Sequence, residues 1–117
     1  MSIDLQQTRP VAVVTGGSSN IGWACVRRFA ATHEVLIADL KPPDATLPAS
    51  VHFVPADVTD EAACEALFAA AAARGPLAAL VHSAAITAPA RPIEAIPVDE
   101  WRRLIEVNLT GAFLVAR

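Results

Sequence analysis

Residues 15–22 read TGGSSNIG. Three of the chain's five glycines, Gly16, Gly17 and Gly22, fall in this one stretch. Glycine lets a backbone approach a phosphate closely, and the N–H groups at the start of a helix point at an anion. Ser18 and Ser19 add hydroxyl donors. Such residues, placed after an apolar run and before an amphipathic one, suit the holding of a pyrophosphate. Asn20 stands where loops of this kind carry glycine. That position asks for a positive φ, and asparagine tolerates the left-handed region better than other residues with a side chain. Its side chain could also act as an N-cap. The expectation is an intact cradle; the plainer alternative is an ordinary tight turn.

Asp39 ends the next apolar run, near the spacing at which a dinucleotide fold places an acid on the adenosine ribose hydroxyls. A carboxylate repels a 2′-phosphate, so Asp39 favours NAD over NADP. Lys41 could soften that repulsion, although a solvated loop lysine is the simpler reading. Asp57, in PADVTD, ends the third run and could accept from an adenine amino group while Val58 packs on the ring; capping the following helix is the equal alternative. His82 and Ser83 end the fourth run, with His82 read as a structural hydrogen-bond partner before a ligand contact. Asn108 sits seven residues after Trp101 on an apolar stripe, where a buried amide without a partner costs ~1–3 kcal/mol. It therefore needs a specific partner or a specific job. His33 and His52 do not cluster, and three isolated histidines suggest no metal site.

These residues need elements to position them. VAVV (11–14), EVLIADL (34–40), VHFVPADV (51–58) and LAALVHS (77–83) are apolar runs that read as short buried strands. From Ile21, apolar residues recur at Ala24, Cys25 and Phe29, a helix face. Residues 41–50 are proline-broken and too few for a crossover helix. TDEAACEALFAAAAARG (59–75) opens with capping chemistry at Thr59 or Asp60, buries Cys64, Leu67, Phe68 and Ala71, and stops at Gly75-Pro76. DEWRRLIEVNLTGAFLVAR (99–117) reads as one helix with Trp101, Leu104, Ile105 and Ala112 on its apolar face. The order β-α-β-β-α-β-α predicts an α/β class chain. It would be a partial, Rossmann-type doubly wound parallel sheet in three α/β/α layers, with polar residues at one sheet edge where ligands bind.

The bulk numbers agree with one globular domain: 117 residues, 54% hydrophobic and 18% charged. A net charge of −3 argues against nucleic-acid or anionic-membrane partners. MSIDLQQTRP lacks the apolar stretch of a leader, no run approaches a membrane span, and Cys25 and Cys64 read as ordinary core thiols, so a cytoplasmic location is expected.

TGGSSNIG (15–22), ADVTD (56–60), LVHSAA (80–85) and VNLTGAF (107–113) together resemble the short-chain dehydrogenases/reductases, in order and spacing, from Val11 to Arg117. The resemblance implies hydride transfer between a nicotinamide cofactor and an alcohol or carbonyl substrate. It implies that Gly16, Ser18, Ser19, Asn20 and Ile21 line the cofactor's pyrophosphate and ribose, that Asp39 and Leu40 meet the adenosine ribose, and that Asp57 and Val58 meet the adenine. His82, Ser83, Ala84 and Ala85 match a stretch usually Asn-Asn-Ala-Gly on the nicotinamide-side ribose. Asn108 matches the asparagine of the catalytic tetrad, thought to bend its helix and hold a water. The family's serine and Tyr-x-x-x-Lys pair have no match here: the chain has no tyrosine, and its one lysine is Lys41. The expectation is a single NAD(P)-binding Rossmann domain over residues 1–117, truncated before that segment and inactive alone. Its full-length parent is expected to be a homo-oligomer. The alternatives are a stand-alone nucleotide-binding module or a non-functional truncated fragment.

Overall fold

The computed structural model describes residues 9–117. The N-terminal stretch inspected for a leader falls mainly on residues 1–8 and lies outside the described residues.

Four strands form one parallel sheet: β1 (Val11–Thr15), β2 (Glu34–Asp39), β3 (Val51–Pro55) and β4 (Leu77–His82), in the order β3-β2-β1-β4. β1 is wholly buried, as its unbroken β-branched run requires of a strand covered on both faces. Helix α1 (Asn20–Phe29) covers one face. There Ala12, Val14, Val35, Ile37 and Val51 pack with Val26. Helix α2 (Glu61–Arg74) covers the other, where Val11, Val13, Leu36 and Ala38 meet Leu67 and Ala71. The three expected layers are therefore present, and alternate residues of each central strand face opposite helices. Asp60 caps α2, accepting from the Ala63 N–H, and Glu61 lies in its first turn, where the dipole favours an acid. Residues 41–50 form turns without a helix.

Four expectations need correction. The VHFVPADV strand ends at Pro55, so Asp57 sits in the turn beyond it. The face of α1 is only half as expected: Cys25 and Phe29 pack against the core beside the buried Gly22 and Val26, whereas Ile21 is 74% exposed and Ala24 is exposed. The reason is contact at Gly22, where an added Cβ would lie 2.0 Å from the Gly16 carbonyl oxygen, so the smallest residue must face inward. β4 is not buried as its apolar sequence suggests. Among the described residues it pairs only with β1, and Leu77 and Leu80 are 50% and 38% exposed.

The last helix is also not one regular element. It runs as α3 (Val98–Ile105), a π-helical turn (Glu106–Thr110) and α4 (Gly111–Ala116). The stripe read through Trp101 and Ile105 is exposed; Val107, Gly111 and Val115 are the buried residues. These lie four apart and seat the helix on Val58 and Cys64 of the neighbouring turn and α2.

Candidate functional site

The parallel register brings Thr15, Ala38, Val54 and His82 level, so the segments that follow all four strands gather at one edge. A cleft of about 230 Å³ opens there. Its walls come from the loop after β1, the ends of β2 and β3, the stretch after β4, and α3 with its π turn.

The glycine loop is held by close backbone approach and positive φ. Gly16 has φ +63°, and a Cβ there would lie 2.7 Å from the Ala84 nitrogen. Asn20 has φ +52° and is the one described non-glycine residue with a positive φ, as its type predicts. It does not act as the N-cap: that position is Ser19, whose side chain makes no capping bond, and among the described residues no side chain caps the helix start. The first N–H groups of α1 are thus left to the cleft.

Asp39 is anchored where it stands. Its Oδ2 accepts from the Ser18 N–H at 3.1 Å and its Oδ1 from the Leu40 N–H at 2.7 Å. The Ser18 hydroxyl donates to the Lys41 carbonyl, tying the glycine loop to the end of β2. Asp57 Oδ1 accepts from the Thr59 N–H and hydroxyl at 2.9 and 2.7 Å. Those two bonds hold its carboxyl below the usual carboxylate range. Asp57 is thus a turn-former, while capping of α2 falls to Asp60. The Oδ2 of Asp57 accepts no hydrogen bond among the described residues.

Thr15 is a hub that its place in the motif did not reveal. Its buried Oγ1 accepts from the Ser83 and Ala84 N–H groups at 3.1 and 3.2 Å and lies 2.7 Å from His82 Nδ1. With both lone pairs engaged, the hydroxyl proton goes to Nδ1. His82 therefore carries its proton on Nε2, an atom that is buried with no partner among the described residues. Burial pushes the His82 pKa down, which keeps the ring neutral.

Asn108 was expected on a buried stripe, and it is exposed. Both ends of its amide are nonetheless taken: the Ile86 N–H donates to Oδ1 at 2.9 Å and Nδ2 donates to the Ile86 carbonyl at 2.8 Å. The π turn that carries Asn108 thus fixes the segment after β4, one wall of the cleft.

Of the residues singled out in the sequence, Gly16, Ser19, Asn20, Asp39, Leu40, Asp57, Val58, Ser83, Ala84 and Ala85 line this cleft. Ser18, His82 and Asn108 do not line it; Ser18 and Asn108 bond to its lining residues Asp39 and Ile86, His82 bonds to Thr15, and Ile21 is exposed. Arg103, which no motif announced, and Val107, the first residue of VNLTGAF, also line it. Their i, i+4 spacing becomes a signal only once the helix is known to face the cleft. Among the described residues no three of His, Cys, Asp and Glu converge as a metal site would require, and no helix is long and apolar enough to cross a membrane.

The sequence profile of the short chain dehydrogenase family matches residues 10–117. Three similar proteins are a cis-4-hydroxycyclohexanecarboxylate dehydrogenase of Sinomonas cyclohexanicum, the NAD(+) 2-dehydro-3-deoxy-L-rhamnonate dehydrogenase of a Sphingomonas strain, and an NADP-dependent (R)-specific alcohol dehydrogenase of Lentilactobacillus kefiri. Identities are 38, 36 and 33%. The matches cover 92, 91 and 92% of this chain, but 47, 45 and 46% of those proteins. The chain therefore spans about half the length of the curated relatives it matches. The crystal structure of gox2181 superposes with a TM-score of 0.79 at 28% identity, over 94% of this chain and 47% of that one.

Proposed function

This chain belongs to the short-chain dehydrogenase family, and from that premise we propose that it is the dinucleotide-binding half of an NAD-preferring oxidoreductase acting on an alcohol or carbonyl group. The observation that carries the reading is one cleft that joins a glycine cradle to an anchored acid. At Gly16 and Gly22 an added Cβ would meet backbone at 2.7 and 2.0 Å, so the loop keeps bare backbone at the start of α1. Asp39 lies at the neighbouring strand end, held by two backbone N–H groups. This donor set fits a pyrophosphate beside a ribose bearing free hydroxyls. The cleft's 230 Å³ falls below the ~300–1,000 Å³ of whole small-molecule pockets, which suits the adenosine side of a dinucleotide.

A bound nicotinamide would supply hydride donation or acceptance. This chain's residues would bind and orient it: Ser19 and the N–H groups of α1 at the phosphates, Asp39 at the ribose hydroxyls, and Asp57 and Val58 at the adenine. Thr15 and Asn108 hold the segment after β4 in place around it. His82 is pinned by Thr15 and neutral, so it is poorly suited to the proton transfer that alcohol chemistry needs. The chain also contains no tyrosine. Two free thiols, Cys25 and Cys64, suit a reducing, cytoplasmic setting.

Calorimetric titration tests this. NAD should bind the chain at least about tenfold (~1.4 kcal/mol) more tightly than NADP, with no reduction of NAD in the presence of alcohols. Asp39→Ser should narrow the ratio by removing the charge that repels a 2′-phosphate. Equal affinities in the unmodified chain would refute the preference, and binding of neither would refute the dinucleotide reading.

A further inference from the structure

We propose that Arg103 is a further dinucleotide-contacting residue, its guanidinium closing the adenine end of the cleft across from Asp57. This rests on the dinucleotide reading above and adds to it a contact from α3. Arg103 and Val107 lie one helical turn apart and both line the cleft, so the same helix face looks into it. The helix is held there by packing further along: a Cβ at Gly111 would lie 2.8 Å from Val58 Cγ2, and Val115 is buried with Val58 and Cys64. That packing anchors the helix on the turn after β3, which carries Asp57 and Val58, and α3 meets the cleft through Arg103.

The charges agree with that placement. Arg103 is close enough to Asp57 to help hold its carboxyl low. Yet among the described residues it makes no ion pair within 4 Å, with Asp57 or any other acid. Glu100 on the same helix is instead taken by Arg91 from the preceding loop, at 3.0 Å. Opposite charges thus face one cleft with space between them. Asp57 presents its free Oδ2 as an acceptor, and Arg103 presents donors and a flat cation. Adenine matches both, with an amino group that donates and ring nitrogens and a π face that attract a guanidinium. A phosphate role fits less well, because the cradle that suits phosphate lies at the end of β1, whereas Arg103 acts on the turn after β3.

Titration of the 117-residue chain and its Arg103→Ala and Arg103→Lys variants with AMP, NAD and inorganic pyrophosphate separates the possibilities. Arg103 is exposed on a helix surface, so both substitutions leave the core untouched. Arg103→Ala should weaken AMP and NAD about five- to tenfold, the scale of one cation–π or charge-assisted contact, and leave pyrophosphate unchanged. Arg103→Lys should recover part of the loss. If the unmodified chain binds AMP and Arg103→Ala binds it equally well, the Arg103 assignment fails while the dinucleotide reading stands. Equal losses for AMP and pyrophosphate would make Arg103 a general positive charge and overturn the base contact. A chain that binds none of the three overturns the dinucleotide reading and this contact with it.

Discussion

Asn20 departs from glycine by type but not by conformation. At φ +52° it holds the backbone that a glycine would hold. An L-residue in the left-handed region costs ~1–2 kcal/mol, with asparagine penalised less and β-branched side chains more. Asn20→Gly should leave the unfolding free energy within about 1 kcal/mol and NAD affinity within about tenfold. Asn20→Val should destabilise the chain by ~2 kcal/mol and weaken NAD further. Chemical denaturation and titration read both, and equal small effects would remove Asn20 from the cradle. His82 makes a second prediction at this scale. Its folded pKa is lowered from 6.5 by burial. The unfolded chain therefore binds the extra proton first, and stability falls as pH drops below about 6.5. Asp57, also lowered, acts only below its ordinary 3.8, outside that window. Melting temperatures taken from about pH 7.5 to about pH 5.5 should fall more steeply for the unmodified chain than for His82→Gln. Parallel slopes would mean that the ring is free to protonate.

At the scale of elements, the β1 terminus organises the cleft through Thr15. Replacing it by valine keeps the shape but removes the acceptor of the Ala84 N–H and the partner of His82 Nδ1. Thr15→Val should cost about 1–3 kcal/mol in urea denaturation, and Thr15→Ser should stay near the original; a neutral Thr15→Val would mean water replaces the hydroxyl. The strands, the helix over 61–74 and the cleft-edge acids were legible in the sequence because apolar runs, capping residues and strand ends are local signals. The hub at Thr15 was not, because its partners lie 67 to 69 residues away. Half of the α1 face and that of the last helix were misread for a related reason. Gly22 and Gly111 are buried for close backbone or side-chain approach, and hydrophobic periodicity does not weigh glycine as a core residue. The π turn then displaces the stripe; hydrophobic periodicity gives no sign of it, and only the match of Asn108 to a helix-bending asparagine pointed to an irregularity there.

Across the whole molecule, the two sides of the sheet are finished unequally. Among the described residues β3 and β4 each have one neighbour, but β3 keeps its side chains mostly half-buried, whereas β4 presents Leu77 and Leu80 beside Phe68 and Leu114 along a hollow that Glu61, Glu65 and Arg117 also line. An unpaired parallel edge carries a row of free N–H and C=O groups, and apolar side chains next to it add a driving force for association. Sealing one leucine from water contributes about 1.5–3 kcal/mol, so several in one patch compete with the entropy lost on pairing. The 117-residue chain should therefore self-associate with rising concentration in sedimentation velocity. Leu80→Lys, which places a charge on that surface, should weaken the association at least about tenfold (~1.4 kcal/mol). NAD affinity should be unchanged, since Leu80 lies outside the cleft. A strictly monomeric chain, or association indifferent to Leu80→Lys, would show that this edge is quiet in solution. Loss of NAD binding in Leu80→Lys would instead tie the packing of β4 to the shape of the cleft, through the Ser83 and Ala84 N–H groups that Thr15 holds.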